Sequence, residues 1–175
     1  MDNKIDKSFF LSGVTCIPNL EINNGYDGSL QANLIEKLDK SIFIYQEHFF
    51  RIILGHDLYV AFESTSDDAK WTTMLGKLIN TDKHISPLAN FVYSYYLEEY
   101  KTELTQAGAV ITKKDNMTPM QINHLQTAAW NQMCDMMYLF FRWFRDNYTE
   151  LETDNAKLSR IYWDELTEKT NPYGI

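Results

Sequence analysis

Apolar residues recur at three- and four-residue steps through most of the chain, which is the spacing of amphipathic helices. In the first clear example, Leu34, Leu38 and Ile42 belong to a stripe that continues to Ile53, and charged residues take the other face. The pattern therefore predicts an all-α protein, a bundle of about five helices. The predicted helices span residues 29–54, 70–79, 87–104, 119–147 and 154–169, with a short helical segment at 57–62 after the first.

Glycine, proline and small polar residues mark the predicted helix ends. Ser86-Pro87 and Thr118-Pro119 each place a hydroxyl cap before a proline at the first helical position, which is a strong start signal. Gly55 stands just past the predicted end of the first helix, where glycine commonly terminates one. Pro172 stops the last helix and biases the chain toward an extended tail.

Three segments do not fit the helical pattern. Residues 1–28 are rich in apolar side chains without periodicity, so they predict an irregular N-terminal arm that lies along its own domain or along a neighbouring subunit. Residues 105–117 contain the β-branched run Val110-Ile111-Thr112 and predict a loop or small β-arm between two long helices. The predicted organisation is thus an arm at 1–28, a helical domain at 29–169 and a tail at 170–175.

Composition and charge narrow the class of protein. The chain of 175 residues carries 16 Lys and Arg against 24 Asp and Glu, a net charge of −8, which argues against a protein that coats nucleic acid. Its first residues lack the apolar stretch of a signal peptide. The most apolar segment, 136–144, is far shorter than the roughly 20 residues that cross a bilayer. We therefore expect no membrane association.

Candidate chemistry is sparse, and we expect no catalytic, cofactor or metal site and no enzyme. Cys16 and Cys134 are too far apart in sequence for a zinc or redox motif; reduced thiols are favoured over a long-range disulfide, and Cys134 is expected to be buried and inert. Glu98 and Glu99 point about 100° apart on a helix, so they do not form an acid–base pair. No phosphate-binding or nucleophile motif occurs. Four histidines lack metal-ligand spacing: His48, His56, His84 and His124.

The end of the predicted helix 119–147 is unusual because residues 136–144 are apolar almost all round. A helix that is apolar on every side should be covered on every side. One thin domain does not obviously supply that cover, so we expect a subunit interface there. Together with the arm, the loop and the tail, this helix end indicates a protein that grips other protein chains.

Five segments between Ile53 and Phe144 resemble, in the same order, head-tail connector (adaptor or neck ring) proteins of tailed bacteriophages, of the type found in crAss-like and related phages of gut Bacteroidales. They cover roughly half of the chain. The segments are Ile53-Leu-Gly-His-Asp-Leu-Tyr59, Trp71-Thr-Thr-Met-Leu-Gly76, Ser86-Pro-Leu-Ala-Asn-Phe-Val-Tyr-Ser-Tyr-Tyr96, Gly108-Ala-Val-Ile-Thr-Lys-Lys-Asp-Asn116 and Ala129-Trp-Asn-Gln-Met133.

The resemblance implies a structural virion protein that is assembled in the host cytoplasm. Copies would form a ring, often a dodecamer, that docks under the portal, meets the next neck or tail protein and lets DNA pass through its channel. A closed ring needs heterologous contacts, in which one face meets a different face of the neighbour. The arm and the tail lie outside the resembling segments. For such a ring we expect the subunit and portal contacts on the arm, loop, aromatic helix end and tail: Phe9, Phe10, Val110, Ile111, Phe140, Phe141, Trp143, Phe144, Pro172, Tyr173 and Ile175.

Two other classes stay open from the residues alone. The first is a monomeric or dimeric phage-encoded helical module that binds a host protein and inhibits it, with termini packed on their own chain. The second is an enzyme with an unfamiliar site, which needs convergent polar groups in a pocket and a titratable group with a shifted pKa.

Overall fold

The computed structural model describes residues 2–18, 20, 28–65, 67–106, 119–147 and 160–171. These residues form five α-helices and no β-strand, which confirms the prediction of an all-α fold. A β-bridge joins Asn80 to Ile85 in the connection between the second and third helices. The helices are α1 (Gly28–Ser64), α2 (Ala69–Leu78), α3 (Pro87–Gln106), α4 (Pro119–Asn147) and α5 (Arg160–Glu165).

Helix α1 is kinked where the sequence predicts an end. Gly55 adopts a φ of 70° and a ψ of 178°, a conformation that side chains disfavour and glycine tolerates. The helix resumes directly after this residue, so the predicted segments 29–54 and 57–62 are two parts of one helix. The kink turns the second part so that Tyr59 and Phe62 are buried in the same core as Ile53.

Helix α3 packs against both α1 and α4 and lies at the centre of the bundle. A buried amide fixes its position, because Asn90 Nδ2 donates hydrogen bonds to the carbonyl oxygen of Ala129 at 2.9 Å and to Gln132 Oε1 at 2.8 Å. The short helix α5 packs against both α1 and α4. Its Trp163 donates from Nε1 to the carbonyl oxygen of Ile53 at 3.0 Å and stacks on Phe141 with ring centroids 4.3 Å apart.

The described part of the N-terminal arm lies on its own chain. Two short 3₁₀ turns, Lys7–Phe10 and Gly13–Thr15, bury Phe9 and Phe10 in the bundle core. The buried side chain of Gln46 accepts a hydrogen bond from the backbone N–H of Lys4 at 3.0 Å. The sequence leaves open whether the arm lies along its own domain or along a neighbouring subunit. In the structure, the described residues of the arm lie along their own domain.

The aromatic end of α4 corrects the expectation that another subunit must cover it. Phe140, Phe141 and Phe144 are buried by their own chain. Trp163 of α5 supplies much of this cover, since its ring stacks on Phe141 and meets Phe144 edge-on at 5.9 Å. Helix α2 packs on another side of α4. Only a strip of this helix end, which includes Tyr138 and Leu139, is left exposed.

The last helix is shorter than predicted at its C-terminal end. The sequence predicts 154–169, but α5 stops at Glu165 and the chain turns at Leu166. Beyond this point the backbone bonds to α4: the carbonyl oxygen of Glu168 accepts from Trp130 Nε1 at 2.9 Å, and the N–H of Thr170 donates to Asn131 Oδ1 at 2.9 Å. These cross-helix bonds replace the last turn of helix.

Several predictions fall on the part of the chain outside the described residues. They are the loop or β-arm at 107–117 with Val110 and Ile111, the start of the last helix at 154–159, and the tail residues Pro172, Tyr173 and Ile175.

We predict that Phe10→Ala destabilises the protein strongly. The Phe10 side chain is completely buried, and truncation of a buried phenylalanine typically lowers the free energy of unfolding by about 3 to 5 kcal/mol. Urea unfolding followed by circular dichroism measures this difference. The matched control is Tyr138→Ala on exposed α4 surface, where we expect a change within about 0.5 kcal/mol. Equal effects of the two substitutions would mean that the arm is not part of the core.

Candidate functional site

The described residues contain no cluster of metal-ligand side chains, and Glu98 and Glu99 do not converge. No group of three or more His, Cys, Asp or Glu side chains converges in this part of the chain. Glu98 accepts a hydrogen bond from Gln126 of α4, whereas Glu99 accepts one from Tyr45 of α1 at 2.7 Å. The two carboxylates therefore face different helices, as their adjacent positions on α3 predict. Burial, with the bond to Glu99, raises the pKa of Tyr45.

The structure contains a polar cluster that the sequence does not predict, formed by Asp6, Ser8 and His84. The Ser8 hydroxyl donates to Asp6 Oδ1 and lies 2.9 Å from His84 Nδ1. This bond from the Ser8 hydroxyl holds the pKa of Asp6 below its usual value. In a hydrolytic triad the imidazole lies between the hydroxyl and the carboxylate. Here the hydroxyl lies in the middle, so the carboxylate orients no base.

This cluster links the N-terminal arm to the connection between α2 and α3, residues 79–86. Asp6 caps the first 3₁₀ turn by accepting from the Ser8 N–H at 2.8 Å, a local pattern that the sequence contains. His84 adds a ring contact, since Phe9 meets it edge-on at 5.4 Å. It has a φ of 51°, in the left-handed region. Ser8 lies 76 residues from His84 in sequence, so local sequence could not predict the contact.

An apolar groove opens between the end of α2, the following connection and α4. We call it the α4 groove; its cavity has a volume of about 320 Å³ and is open to solvent. Among the described residues that line it, Lys77 is the one charged residue, and its Nζ lies 5.5 Å from the centre of the Trp143 ring. The apolar walls include Ile85, Met136, Leu139, Phe140 and Trp143.

Exposed large apolar side chains lie next to one another at two places on the described surface, whereas Val60 is exposed singly. At the α4 groove, Ile85 is 48% exposed and Leu139 is 64% exposed. On α1, Phe43 is 57% and Ile44 is 46% exposed; we call this pair the α1 ridge. Solvent-exposed apolar residues are normal singly, but clustered ones commonly mark interaction sites.

Most of the predicted contact residues do not lie on this surface. Phe9, Phe10, Phe141 and Phe144 are buried in their own chain, and a partner could reach them only after the bundle opened. Two of the described contact residues, Phe140 and the half-buried Trp143, line the α4 groove and so border a site that a partner could reach. The other five lie outside the described residues: Val110, Ile111, Pro172, Tyr173 and Ile175.

The hydrophobic periodicity partly indicates the exposed apolar residues that the predicted contacts do not include. A buried stripe of α1 is formed by Leu38, Ile42 and Phe49. Phe43 and Ile44 lie outside this stripe, so they do not pack in the core of their own chain. Leu139 belongs to the segment that is apolar all round. Which side of that segment stays open depends on α2 and α5, and the sequence does not show how these helices pack.

No family model, curated protein or solved structure matches this chain. Among the described residues, no helix has the length and apolar character needed to cross a bilayer.

We predict that Cys134 resists alkylation in the folded protein. Both cysteines are free thiols, but Cys134 is buried, and burial raises the pKa of its thiol to about 11. Since the raised pKa keeps the thiol protonated below that pH, iodoacetamide at about pH 8 should modify half-buried Cys16 first. Peptide mass spectrometry measures both sites, and denaturant should equalise them. Equal labelling without denaturant would contradict the structure.

Proposed function

We propose that this protein is a non-enzymatic structural component that assembles with copies of itself as a head-tail connector ring of a tailed phage virion. In this role it docks on the portal and on the next neck or tail protein, and DNA passes as cargo. The observation that carries the proposal is the presence of two different exposed apolar surfaces on one chain, the α1 ridge and the α4 groove.

Two different surfaces are what a ring requires. A symmetric dimer uses one patch twice, whereas a ring repeats a contact between two unlike patches around its circumference. The ridge belongs to α1, whereas the groove lies between the end of α2, the following connection and α4, so the two surfaces share no residue. One chain therefore carries both halves of a repeating contact.

The resemblance of residues 53–144 to connector proteins supports the same role. The segment at 86–96 forms the first half of α3, whose side chains are mostly buried, so this part of the resemblance concerns the core. The net charge of −8 also suits a conduit, because a channel that attracts phosphates would retard the genome.

One observation favours the alternative of a monomeric or dimeric module that binds a host protein. The described residues of both terminal regions pack on their own chain: Tyr93 donates from its hydroxyl to the carbonyl oxygen of Cys16 at 3.2 Å, and Thr170 is bonded to Asn131. A lone molecule needs such cover. In this alternative the α4 groove alone meets the host protein, and the α1 ridge has no partner.

We predict that the purified protein forms a discrete large oligomer, alone or when a portal protein is added. The two apolar surfaces favour repeated association because each contact leaves one free ridge and one free groove at the ends until a ring closes. Mass photometry over a concentration series measures the particle mass, and negative-stain images show whether the particles are rings.

The control for this experiment is the portal protein alone, which gives the mass to which any added ring must be compared. Monomers or dimers at every concentration, with no binding to the portal, would reject the connector and leave the host-protein module.

A further inference from the structure

We propose that the α1 ridge of one copy docks into the α4 groove of the next copy. The inference rests on the proposed ring and names the contact from which it is built. The occupant of the groove is then a second copy of this chain, in a head-to-tail arrangement.

The shapes of the two surfaces fit a helix-in-groove contact. The groove is open and apolar, with a volume of about 320 Å³, which suits large apolar side chains from a facing helix. Phe43 projects from α1 with more than half of its surface exposed. Because neighbouring residues on a helix point about 100° apart, Phe43 would enter the groove and Ile44 would cover one edge of it.

The charges are also complementary. Three carboxylates, Glu36, Asp39 and Glu47, are exposed within two turns of Phe43 on the same face of α1. Lys40 is an exposed cation on this face, so the carboxylates outnumber the cations three to one. In the described lining of the groove, Lys77 is the single charged residue, and it is exposed. A facing α1 helix thus brings carboxylates toward the one cation of the groove, while its phenylalanine meets apolar walls.

The contact also accounts for most of the exposed apolar surface. Of the six exposed large apolar side chains in the described part of the chain, it covers four: Phe43, Ile44, Ile85 and Leu139. A foreign partner in the groove would leave the ridge bare, and a foreign partner on the ridge would leave the groove bare. A second copy covers both with one repeated contact.

A complementation experiment tests this contact. Phe43→Asp removes the ridge and keeps the groove, and Leu139→Asp removes the groove and keeps the ridge. We expect each variant alone to lose self-association by at least about tenfold in Kd, because a charge enters an apolar contact. Mixed together, the two variants should form a 1:1 heterodimer that grows no further, since the pair has one intact ridge and one intact groove between them.

The matched control is Val60→Asp, which places the same charge at an exposed apolar residue of α1 outside both surfaces. It should assemble like the unmodified protein. Circular dichroism checks the fold of every variant, and Phe43→Ser with Leu139→Ser replaces the aspartates if either of them unfolds the chain. Analytical ultracentrifugation measures the masses.

The possible failures are distinguishable. If the unmodified protein assembles and both variants assemble equally well, the contact is wrong and the connector role stands. If each variant loses assembly but the mixture forms no heterodimer, ridge and groove meet other surfaces and the contact is again wrong. If the unmodified protein stays monomeric with and without portal protein, both the contact and the connector role are rejected.

Discussion

The structure depends on one constraint, the burial of α3 on nearly every side. From Ser86 to Leu97 almost every side chain of this helix is buried, including the polar Asn90 and Ser94. Buried polar groups are costly unless they are hydrogen-bonded. Asn90 is satisfied by α4, and the Ser94 hydroxyl donates to the carbonyl oxygen of Asn90 at 2.9 Å. The amide of Asn90 therefore fixes the register between α3 and α4, because a shift of either helix would leave it unpaired.

A helix that is buried all round needs cover that two neighbouring helices cannot complete. The N-terminal arm supplies part of it, since its turns pack against α3 and the Tyr93 hydroxyl bonds to the backbone of Cys16. Burial raises the pKa of Tyr93 to about 12, so the phenol stays neutral and keeps this bond through the ordinary pH range. The arm is consequently part of the core, which explains why its phenylalanines are unavailable to a partner.

The sequence predicts the helices well and their relative burial less well. Prolines at 87 and 119 and the glycine at 55 mark positions of backbone geometry, which local sequence determines, and the structure has helix starts and a kink there. Periodicity indicates α4 as the helix that is apolar all round, whereas α3 is the more completely buried one. Tyr, Ser and Asn make α3 look amphipathic. The burial of Asn90 and Tyr93 depends on partners more than 30 residues away, Ala129 and Cys16, and periodicity contains no information about such partners.

The same limit explains why most of the predicted contact residues that the structure describes are buried and not exposed. Sequence patterns identify apolar side chains in excess of one amphipathic face, but they do not say which of them the chain itself covers. Trp163 covers Phe141, and the groove remains beside Leu139, because the short α5 reaches only one side of α4. The excess apolar surface is therefore smaller than the sequence suggests and lies elsewhere, on α1 and along α4. Since these two surfaces flank α3 and are both exposed, they do not cover each other within one chain. A symmetric pairing of ridges would leave every groove open, and only a contact between unlike surfaces covers both.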